Sequence, residues 1–309
     1  MTDIIIIGAG PAGMTAAIYA RRASKSVLVL EALSYGGQII NTPDIENYPV
    51  AAHISGFDFA SQVYKQAKAL GAEFRFEKAL SVEDRGEDKL VRTAKNEYEA
   101  KAVIIATGSR NRSLGVENEE KLIGRGISYC ATCDGAFYRK KTVAVVGGGN
   151  TALEDALYLA DIAEKVYLIH RRDAFRGEES TVSRLREREN VEFVLNSVVR
   201  ELRYDKKLTA VVTVDKHGEE RELRVDGLFV AVGRIPENGS FAELIELDRA
   251  GYAVAGEDCR TKTAGVFVAG DNRTKDVRQL VTATADGAVA ATEAIRFINE
   301  KASSKSFRA

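Results

Sequence analysis

The chain has 309 residues, 45% hydrophobic and 29% charged, a composition typical of a soluble globular protein long enough for two domains. Forty-four basic and 45 acidic residues leave a formal charge of −1, so neither nucleic acid nor a membrane surface is indicated as a partner. The apolar runs at 4–7 and 143–146 are far shorter than the roughly 20 residues that span a bilayer. Three cysteines are too few for a secreted framework, and no signal peptide precedes the first strand, so we expect a cytoplasmic protein.

A strand, a glycine turn and a helix open the chain. Residues 3–13 read DIIIIGAGPAG, with Gly8, Gly10 and Gly13 directly after a β-branched run. The helical stretch MTAAIYARRA and a second apolar run at 27–31 follow. The first glycine permits the tight turn, the second lets a pyrophosphate approach the backbone, and the third allows close packing of helix on strand. This βαβ pattern predicts a dinucleotide-binding unit.

Two cysteines lie close together near the middle of the chain, in YCATCDGAF at 129–137. The spacing of Cys130 and Cys133 allows a disulfide, a metal half-site or no role at all. In a reducing cytosol a close pair is more often catalytic or metal-binding than structural. A zinc site needs two more ligands, and Cys259 with three scattered histidines offers no second pair, so we predict no metal and a redox-active pair.

The glycine pattern then repeats. Residues 142–152 read TVAVVGGGNTA, followed by the helical stretch LEDALYLADIA and an apolar run at 166–170. Strands are predicted within 101–109, 225–236 and 264–272, and a helix over roughly 277–299. That order predicts an α/β fold of two Rossmann-like units, the second inserted into the first: 1–113, then 114–240, then 241–309. The polar end, KASSKSFRA, is expected to be a mobile tail.

The two units differ where the second strand ends, a position that faces the adenosine ribose. In the first unit this residue is Glu31, whose carboxylate can accept hydrogen bonds from ribose hydroxyls and would repel a 2′-phosphate. The second unit places His170 there, followed by Arg171, Arg172 and Arg176. Arginine's planar fork suits phosphate oxygens, so this site is predicted to prefer NADPH over NADH.

These motifs together resemble the low-molecular-weight, NADPH-dependent thioredoxin reductases, which are flavoprotein pyridine nucleotide-disulfide oxidoreductases. The resemblance covers nearly the whole chain. It rests on GAGPAG (8–13), GGQI (36–39), ENYP (46–49), ATG (106–108), CATCDG (130–135), GGGNTA (147–152), HRRDAFR (170–176), GD (270–271) and RQ (278–279).

The resemblance implies FAD in the first, discontinuous domain and NADPH in the inserted one. The residues implied for FAD are Gly8, Gly10, Pro11, Ala12, Gly13, Glu31, Gly37, Gln38, Asn47, Val82, Ala106, Gly108, Asp271, Arg278 and Gln279. Those implied for NADPH are Gly149, Asn150, Thr151, His170, Arg171, Arg172 and Arg176.

The resemblance also implies roles for the cysteine pair and a homodimer. Cys133 is expected nearer the flavin, and Cys130 is expected to attack the disulfide of thioredoxin or a thioredoxin-like protein. Asp134 is placed to act as general acid if burial raises its pKa. The cysteines and the NADPH site lie in the same inserted domain, and both must approach the flavin, yet the reduced cysteines must also reach a protein partner. One rigid arrangement cannot meet all three requirements, so we expect a domain rotation, with hinges near 113–115 and 237–240.

Other interpretations remain at this point. The same chemistry could serve another small redox protein or take electrons from ferredoxin, although the arginine cluster argues against ferredoxin. A non-catalytic flavin sensor is a further alternative. The chain also departs from its relatives in the loop VAAHISG at 50–56, which contains His53, and at Ala136, where several relatives carry phenylalanine. These departures predict a flavin-side loop of a different shape and a smaller contact surface for the protein partner at Ala136.

Overall fold

The structure, a computed structural model, describes residues 1–42, 44–51 and 53–306, with side chains through 303. Within these residues the chain forms two compact units. Unit 1 comprises Met1–Arg110 and Ile235–Ala309, and unit 2 comprises Asn111–Arg234. The sequence places the domain boundaries at 113/114 and 240/241, which is three and six residues further along the chain. No helix in the described part of the chain is both long and apolar enough to cross a membrane.

Unit 1 is built on a seven-stranded sheet with helices packed against it. Its strands lie in the order β3-β2-β1-β6-β5-β4, and β17 pairs with β6. The elements are β1 (Thr2–Ile7), α1 (Pro11–Arg22), β2 (Val27–Leu30), α2 (Gly56–Ala69), β3 (Glu73–Arg75), β4 (Ala79–Asp84), β5 (Lys89–Thr93), β6 (Glu97–Ile105), β17 (Val266–Val268) and α7 (Leu280–Ser306). Short 3₁₀ helices lie at Gly37–Asn41 and Gly239–Phe241.

The first βαβ pattern sets the register of this sheet. β1 pairs in parallel with both β2 and β6, so that Ile7 lies level with Leu30 and Ile105. β17 runs parallel to β6 over Val103–Ile105. The carboxyl ends of these four strands therefore meet at one edge, where ligands of open α/β sheets bind. β1 is buried on both faces, which explains its continuous isoleucine run.

Unit 2 contains a five-stranded parallel sheet, in the order β11-β10-β9-β15-β8, and a three-stranded antiparallel sheet, β12-β13-β14. Its elements are α3 (Glu119–Leu122), β8 (Ile127–Ser128), α4 (Ala131–Asp134), a 3₁₀ helix (Gly135–Tyr138), β9 (Thr142–Gly147), α5 (Asn150–Ala160), β10 (Lys165–Ile169), α6 (Glu179–Arg186), β11 (Val191–Val194), β12 (Ser197–Tyr204), β13 (Leu208–Asp215), β14 (Glu220–Arg224) and β15 (Gly227–Ala231). The predicted α/β fold with an inserted second Rossmann-like unit is confirmed.

The two connections between the units are short strands, β7 (Ser109–Asn111) and β16 (Arg234–Pro236), which form a two-stranded sheet. The segments expected to act as hinges lie beside these strands and are held by buried side chains. Glu119 binds the backbone of Leu114 and Gly115. Asn238, 1% exposed, donates to the carbonyl groups of Gly251 and Asn272.

The tail that was expected to be mobile is helical over its first six described residues, since α7 continues to Ser306. A helix already nucleated propagates through alanine, lysine and serine at little cost, and the polar composition alone did not signal this. The last three residues, 307–309, lie outside the described part.

Candidate functional site

The first glycine turn is tightly packed at both ends and open in the middle. Gly8 has φ +109°, and a Cβ there would collide with the carbonyl oxygen of Ala106. A Cβ at Gly13 would collide with the carbonyl oxygen of Gly8. A Cβ at Gly10, in contrast, would meet no heavy atom within 4 Å. The turn thus leaves its backbone accessible at the position where a pyrophosphate is expected to approach, with Pro11 beginning α1.

The start of the 3₁₀ helix at 37–41 packs against this glycine turn. The N–H of Gly36 donates to the carbonyl group of Ala9 over 2.8 Å, and a Cβ at Gly37 would lie 3.3 Å from the Cα of Gly10. Gly37 therefore lies beside the glycine turn, and Gln38 follows it in the 3₁₀ helix. Val82, on β4, is half-buried and packs against the core on one face of the sheet.

Glu31 follows β2, as predicted, and already has backbone partners. Its Oε2 accepts the N–H of Ala9 over 2.7 Å, and its Oε1 accepts the N–H of Leu33 over 2.9 Å. A carboxylate has about four acceptor positions, so lone pairs remain for ribose hydroxyls. The carboxylate thus also fixes the glycine turn, a role that the sequence did not indicate.

Three of the remaining candidates of unit 1 follow the carboxyl ends of β6 and β17. Ala106 and Gly108 follow β6, and Asp271 follows Gly270 after β17. The Arg278 guanidinium lies 4.1 Å from the ring centroid of Tyr252, and its Nε is buried with no hydrogen-bond partner in the described part of the chain. Asn47 Nδ2 donates to Gln279 Oε1 over 3.2 Å. The Arg278 Nε therefore offers a donor to a bound ligand.

The second glycine turn, in unit 2, has the same open centre. Gly149 precedes α5, and a Cβ there would meet no heavy atom within 4 Å. Asn150 Oδ1 accepts the N–H of Glu178 over 2.8 Å, and the N–H of Arg176 donates to the Gly148 carbonyl oxygen over 2.7 Å. The basic segment after β10 is therefore folded back onto the turn. Thr151, in the first turn of α5, is exposed.

The basic segment divides into one buried and three exposed side chains. Arg171, Arg172 and Arg176 are exposed. His170 is only 6% exposed, and its Nε2 lies 3.2 Å from the Ala174 carbonyl oxygen. Burial lowers the pKa of His170, so the ring is neutral at neutral pH. The ring fills the space in which a side chain of Gly148 would lie, and stacks on Phe175 at 5.1 Å.

The cysteine pair forms a disulfide at the start of α4, with Cys130 and Cys133 Cα atoms 5.3 Å apart. Both residues are half-buried. The backbone N–H of Asp134 donates to the Cys130 carbonyl oxygen over 3.1 Å. Asp134 is therefore fixed at its backbone to the disulfide segment.

Burial raises the pKa of the Asp134 carboxyl, and a hydrogen bond from Ser128 opposes that rise. Asp134 is half-buried and its Oδ1 is buried, which is the setting that the general-acid hypothesis requires; the role itself stays a prediction. Ser128 is a residue that the sequence reasoning missed. Its only signal is a small polar residue at the end of a two-residue strand, two positions before the first cysteine.

Two side chains outside these sites were also singled out in the sequence. His53 is exposed, and its Nδ1 lies 3.0 Å from Asp44 Oδ2 and 3.9 Å from Glu46 Oε1, an ordinary surface ion pair. Cys259 is a fully buried free thiol. Burial, with the charge of Asp286, raises its pKa to about 12, so it remains protonated and unreactive.

Comparison with known proteins shows the family to which the chain is similar. Residues 2–287 match the family model described as pyridine nucleotide-disulphide oxidoreductase. The chain is 45% identical over 302 residues to a protein of Listeria monocytogenes named thioredoxin reductase, covering 96% of this chain and 94% of that one. The corresponding protein of Bacillus subtilis is 43% identical over 300 residues, with 96% and 95% coverage.

A solved structure gives the same result at the level of the fold. The crystal structure of thioredoxin reductase from Streptococcus pyogenes superimposes with a TM-score of 0.92 at 41% identity, covering 97% of this chain and 99% of that one. With two open glycine turns, one of them beside an arginine cluster, and a CxxC disulfide, this chain belongs to the pyridine nucleotide-disulphide oxidoreductase family.

Proposed function

We propose that this protein is an NADPH-dependent thioredoxin-disulfide reductase. The observation that carries the proposal is the Cys130–Cys133 disulfide directly before Asp134, a half-buried residue whose pKa burial raises, in a unit with a nucleotide-type glycine turn. The names of the relatives that are 43–45% identical over almost the whole chain support the same acceptor.

The cofactors of this family are FAD and NADPH, and the residues present fit both. In unit 1 the open Gly10 turn, Glu31 and the Arg278 Nε would hold the pyrophosphate, ribose and flavin ends of FAD. In unit 2 Gly149, Asn150 and Thr151 would hold the NADPH pyrophosphate, and Arg171, Arg172 and Arg176 its 2′-phosphate. The buried, neutral His170 would support the glycine turn rather than bind phosphate. FAD, when bound, mediates two-electron transfer between a nicotinamide and a disulfide.

Three residues of the chain carry out the thiol–disulfide exchange, each in a different step. Cys130 is the thiolate that attacks the partner's disulfide, and Cys133 resolves the mixed disulfide by attacking Cys130. Asp134 supplies a proton to the departing thiolate. The arginine cluster favours NADPH over ferredoxin as electron donor.

A rotation of the inserted domain would let the disulfide serve both the flavin and a protein partner. The segments at 113–115 and 237–240 are held by Glu119 and Asn238, so we place the hinge in the connecting strands β7 and β16. Gly108 and Gly233, both with positive φ, flank these strands and can absorb backbone rotation. A cross-link between the domains should stop turnover with NADPH and thioredoxin. Normal turnover in the cross-linked protein would rule the rotation out.

The expected setting is a cytoplasmic homodimer acting on thioredoxin or a thioredoxin-like protein. The direct test mixes the FAD-loaded protein with NADPH, NADH or reduced ferredoxin and follows flavin absorbance, then adds oxidised thioredoxin or glutaredoxin and measures thiol release. We expect rapid bleaching by NADPH alone and thiol release from thioredoxin. Cys130→Ser and Cys133→Ser should each abolish thiol release. Thioredoxin reduction by either variant at the wild-type rate would contradict the proposal.

A further inference from the structure

We propose that Ser128 is a positioning residue for Asp134, whose hydroxyl holds one carboxyl oxygen so that the transferable proton resides on the other. The inference rests on the proposed function, because it specifies how that site delivers a proton during disulfide exchange. It adds to the cysteine pair and Asp134 a residue outside the CxxC motif.

The Ser128 hydroxyl lies between the backbone of Cys130 and the Asp134 carboxyl group. Ser128 is 4% exposed, at the end of β8. Its Oγ accepts the backbone N–H of Cys130 over 3.1 Å and donates to Asp134 Oδ2 over 2.6 Å. The same Oγ lies 3.3 Å from the Cys130 carbonyl oxygen. One hydroxyl therefore fixes the carboxyl relative to the backbone of Cys130.

The two oxygens of Asp134 have unlike surroundings. Oδ2 accepts the Ser128 hydrogen bond, whereas Oδ1 is buried and has no hydrogen-bond partner within the described residues. A buried oxygen without a partner is much more costly when it carries charge than when it is a neutral hydroxyl, so protonation of Oδ1 lowers this cost. The proton of the neutral acid therefore belongs on Oδ1, and the Ser128 bond to Oδ2 is kept in both protonation states.

The hydrogen bond also makes the proton easier to give up. A hydroxyl donates more strongly to a carboxylate than to a neutral carboxyl group. Ser128 thus lowers the pKa of Asp134 against the rise that burial causes. Without the hydroxyl the acid would hold its proton more tightly, and the carboxyl would be free to turn.

The other titratable groups around Asp134 do not replace it as an acid. On the same segment these groups are the two cysteines. The following 3₁₀ helix contributes Tyr138. Helix α5 contributes Tyr158, whose ring packs against Gly135. Burial, with the charges of Asp134 and Asp226, raises the pKa of Tyr138 to about 12, so its hydroxyl stays protonated while disulfide exchange proceeds.

The step balances in atoms and electrons. The Cys130 thiolate attacks one sulfur of the partner's disulfide, forming a new S–S bond and breaking the old one. The electron pair of the broken bond leaves on the partner's second sulfur, which takes the proton from Asp134 Oδ1 and leaves a carboxylate. The Cys133 thiolate then attacks the Cys130 sulfur, restores the Cys130–Cys133 disulfide and releases the partner's first sulfur as a thiolate.

The test uses the FAD-loaded protein, reduced with NADPH and rapidly mixed with oxidised thioredoxin from acidic to alkaline pH. We expect Ser128→Ala to slow thiol release about tenfold, the usual effect of removing one hydrogen bond to a charged group. The alkaline limb of the pH profile should move to higher pH, because Asp134 keeps its proton longer. Ser128→Thr, which retains the hydroxyl, should restore both the rate and the profile.

A second substrate separates proton delivery from docking. Thioredoxin carrying thionitrobenzoate in a mixed disulfide presents the same protein surface but releases an aromatic thiolate that is stable without a proton. Ser128→Ala should react with it at close to the wild-type rate. Equal slowing on both substrates, or an unshifted pH profile, would overturn the inference.

Asp134→Asn provides the matched control, because asparagine keeps an acceptor for Ser128 but has no acidic proton. Adding Ser128→Ala to Asp134→Asn should cause no further slowing, and full additivity would contradict the inference. If Ser128→Ala does not bleach with NADPH as a folded enzyme does, Ser128→Gly replaces it with the same expectations. A wild-type enzyme unable to reduce thioredoxin would instead overturn the proposed function.

Discussion

Glu119 accepts a hydrogen bond of 2.7 Å from the hydroxyl of Tyr129, the residue directly before Cys130. The same carboxylate, 3% exposed, accepts the backbone N–H groups of Leu114 and Gly115 over 2.9 and 3.0 Å. It therefore ties the start of the inserted unit to the disulfide segment. Burial, with the charge of Glu119, raises the pKa of Tyr129 far above its ordinary value, so the hydroxyl remains a donor.

This relationship predicts a loss of stability in Glu119→Gln. The amide would point its NH₂ group at one of the three donors, leaving a buried donor without an acceptor at a cost of about 1–3 kcal/mol. Tyr129→Phe should cost about 1 kcal/mol, since it removes one hydrogen bond. Urea unfolding of the apoprotein measures both values. Glu120→Gln, at the exposed neighbouring position, is the control, and an equal loss in that variant would contradict the assignment.

A second prediction concerns Asp286, which lies at 6% exposure behind the Gly270–Asp271 turn. Its carboxylate accepts hydrogen bonds from Arg273, Lys275 and the N–H of Gly270, each between 2.8 and 2.9 Å. Asp286→Asn leaves two buried cations without an anion, so unfolding free energy should fall by about 3–5 kcal/mol. Glu179→Gln, which breaks an exposed pair with Arg186, should change it by less than about 1 kcal/mol.

The Asp286 carboxylate also predicts that the stability of the protein falls in acid. Burial alone would raise the pKa of Asp286, but the hydrogen bonds from Arg273 and Lys275 outweigh it and hold the pKa below its ordinary value. Its stabilising contribution is therefore present above the unfolded pKa of about 4 and is lost as pH falls through the lower folded value. Thermal unfolding at a series of acidic pH values should show a smaller pH effect in Asp286→Asn than in wild type.

Asp155 predicts the opposite dependence on pH. Burial raises its pKa to about 7, against the attraction of Arg234. The folded state holds this proton more tightly than the unfolded state, so stability falls as pH rises from about 4 to about 7. Asp155→Asn should raise the melting temperature at alkaline pH and have little effect in acid. The melting temperature of Glu154→Gln, a change at the exposed neighbouring residue, should depend on pH as that of the wild type does. If wild type, Asp155→Asn and Glu154→Gln all show the same dependence on pH, the prediction is wrong.

The arginine cluster predicts nucleotide selectivity. Replacing Arg171, Arg172 or Arg176 with glutamine removes a charged donor to the 2′-phosphate, which should raise KM for NADPH about tenfold or more. The KM for NADH should change little, because NADH lacks that phosphate. Flavin bleaching at varied nucleotide concentration measures both. Arg188→Gln, which breaks an ion pair with Asp161 elsewhere in unit 2, serves as the control. A similar rise in KM for both nucleotides would contradict the assignment.

Both glycine turns, the CxxC pair, Glu31 and the arginine cluster were readable in the chain, because each depends on residues close together in sequence. A βαβ unit can be predicted from the local spacing of a strand, a turn and a helix. The order of two such units along the chain then predicts that one is inserted into the other. The α/β fold and the insertion were predicted for this reason.

The tertiary structure alone decided which side chains of separate elements meet. Ser128 reaches Asp134 because β8 ends beside α4, and Asp286 reaches Arg273 because α7 packs behind the turn after β17. His170 fills the space beside Gly148, where sequence position suggested a phosphate ligand. Burial and partner geometry set the charge state of these groups, and neither is encoded in spacing along the chain, since both arise only when separate elements pack together.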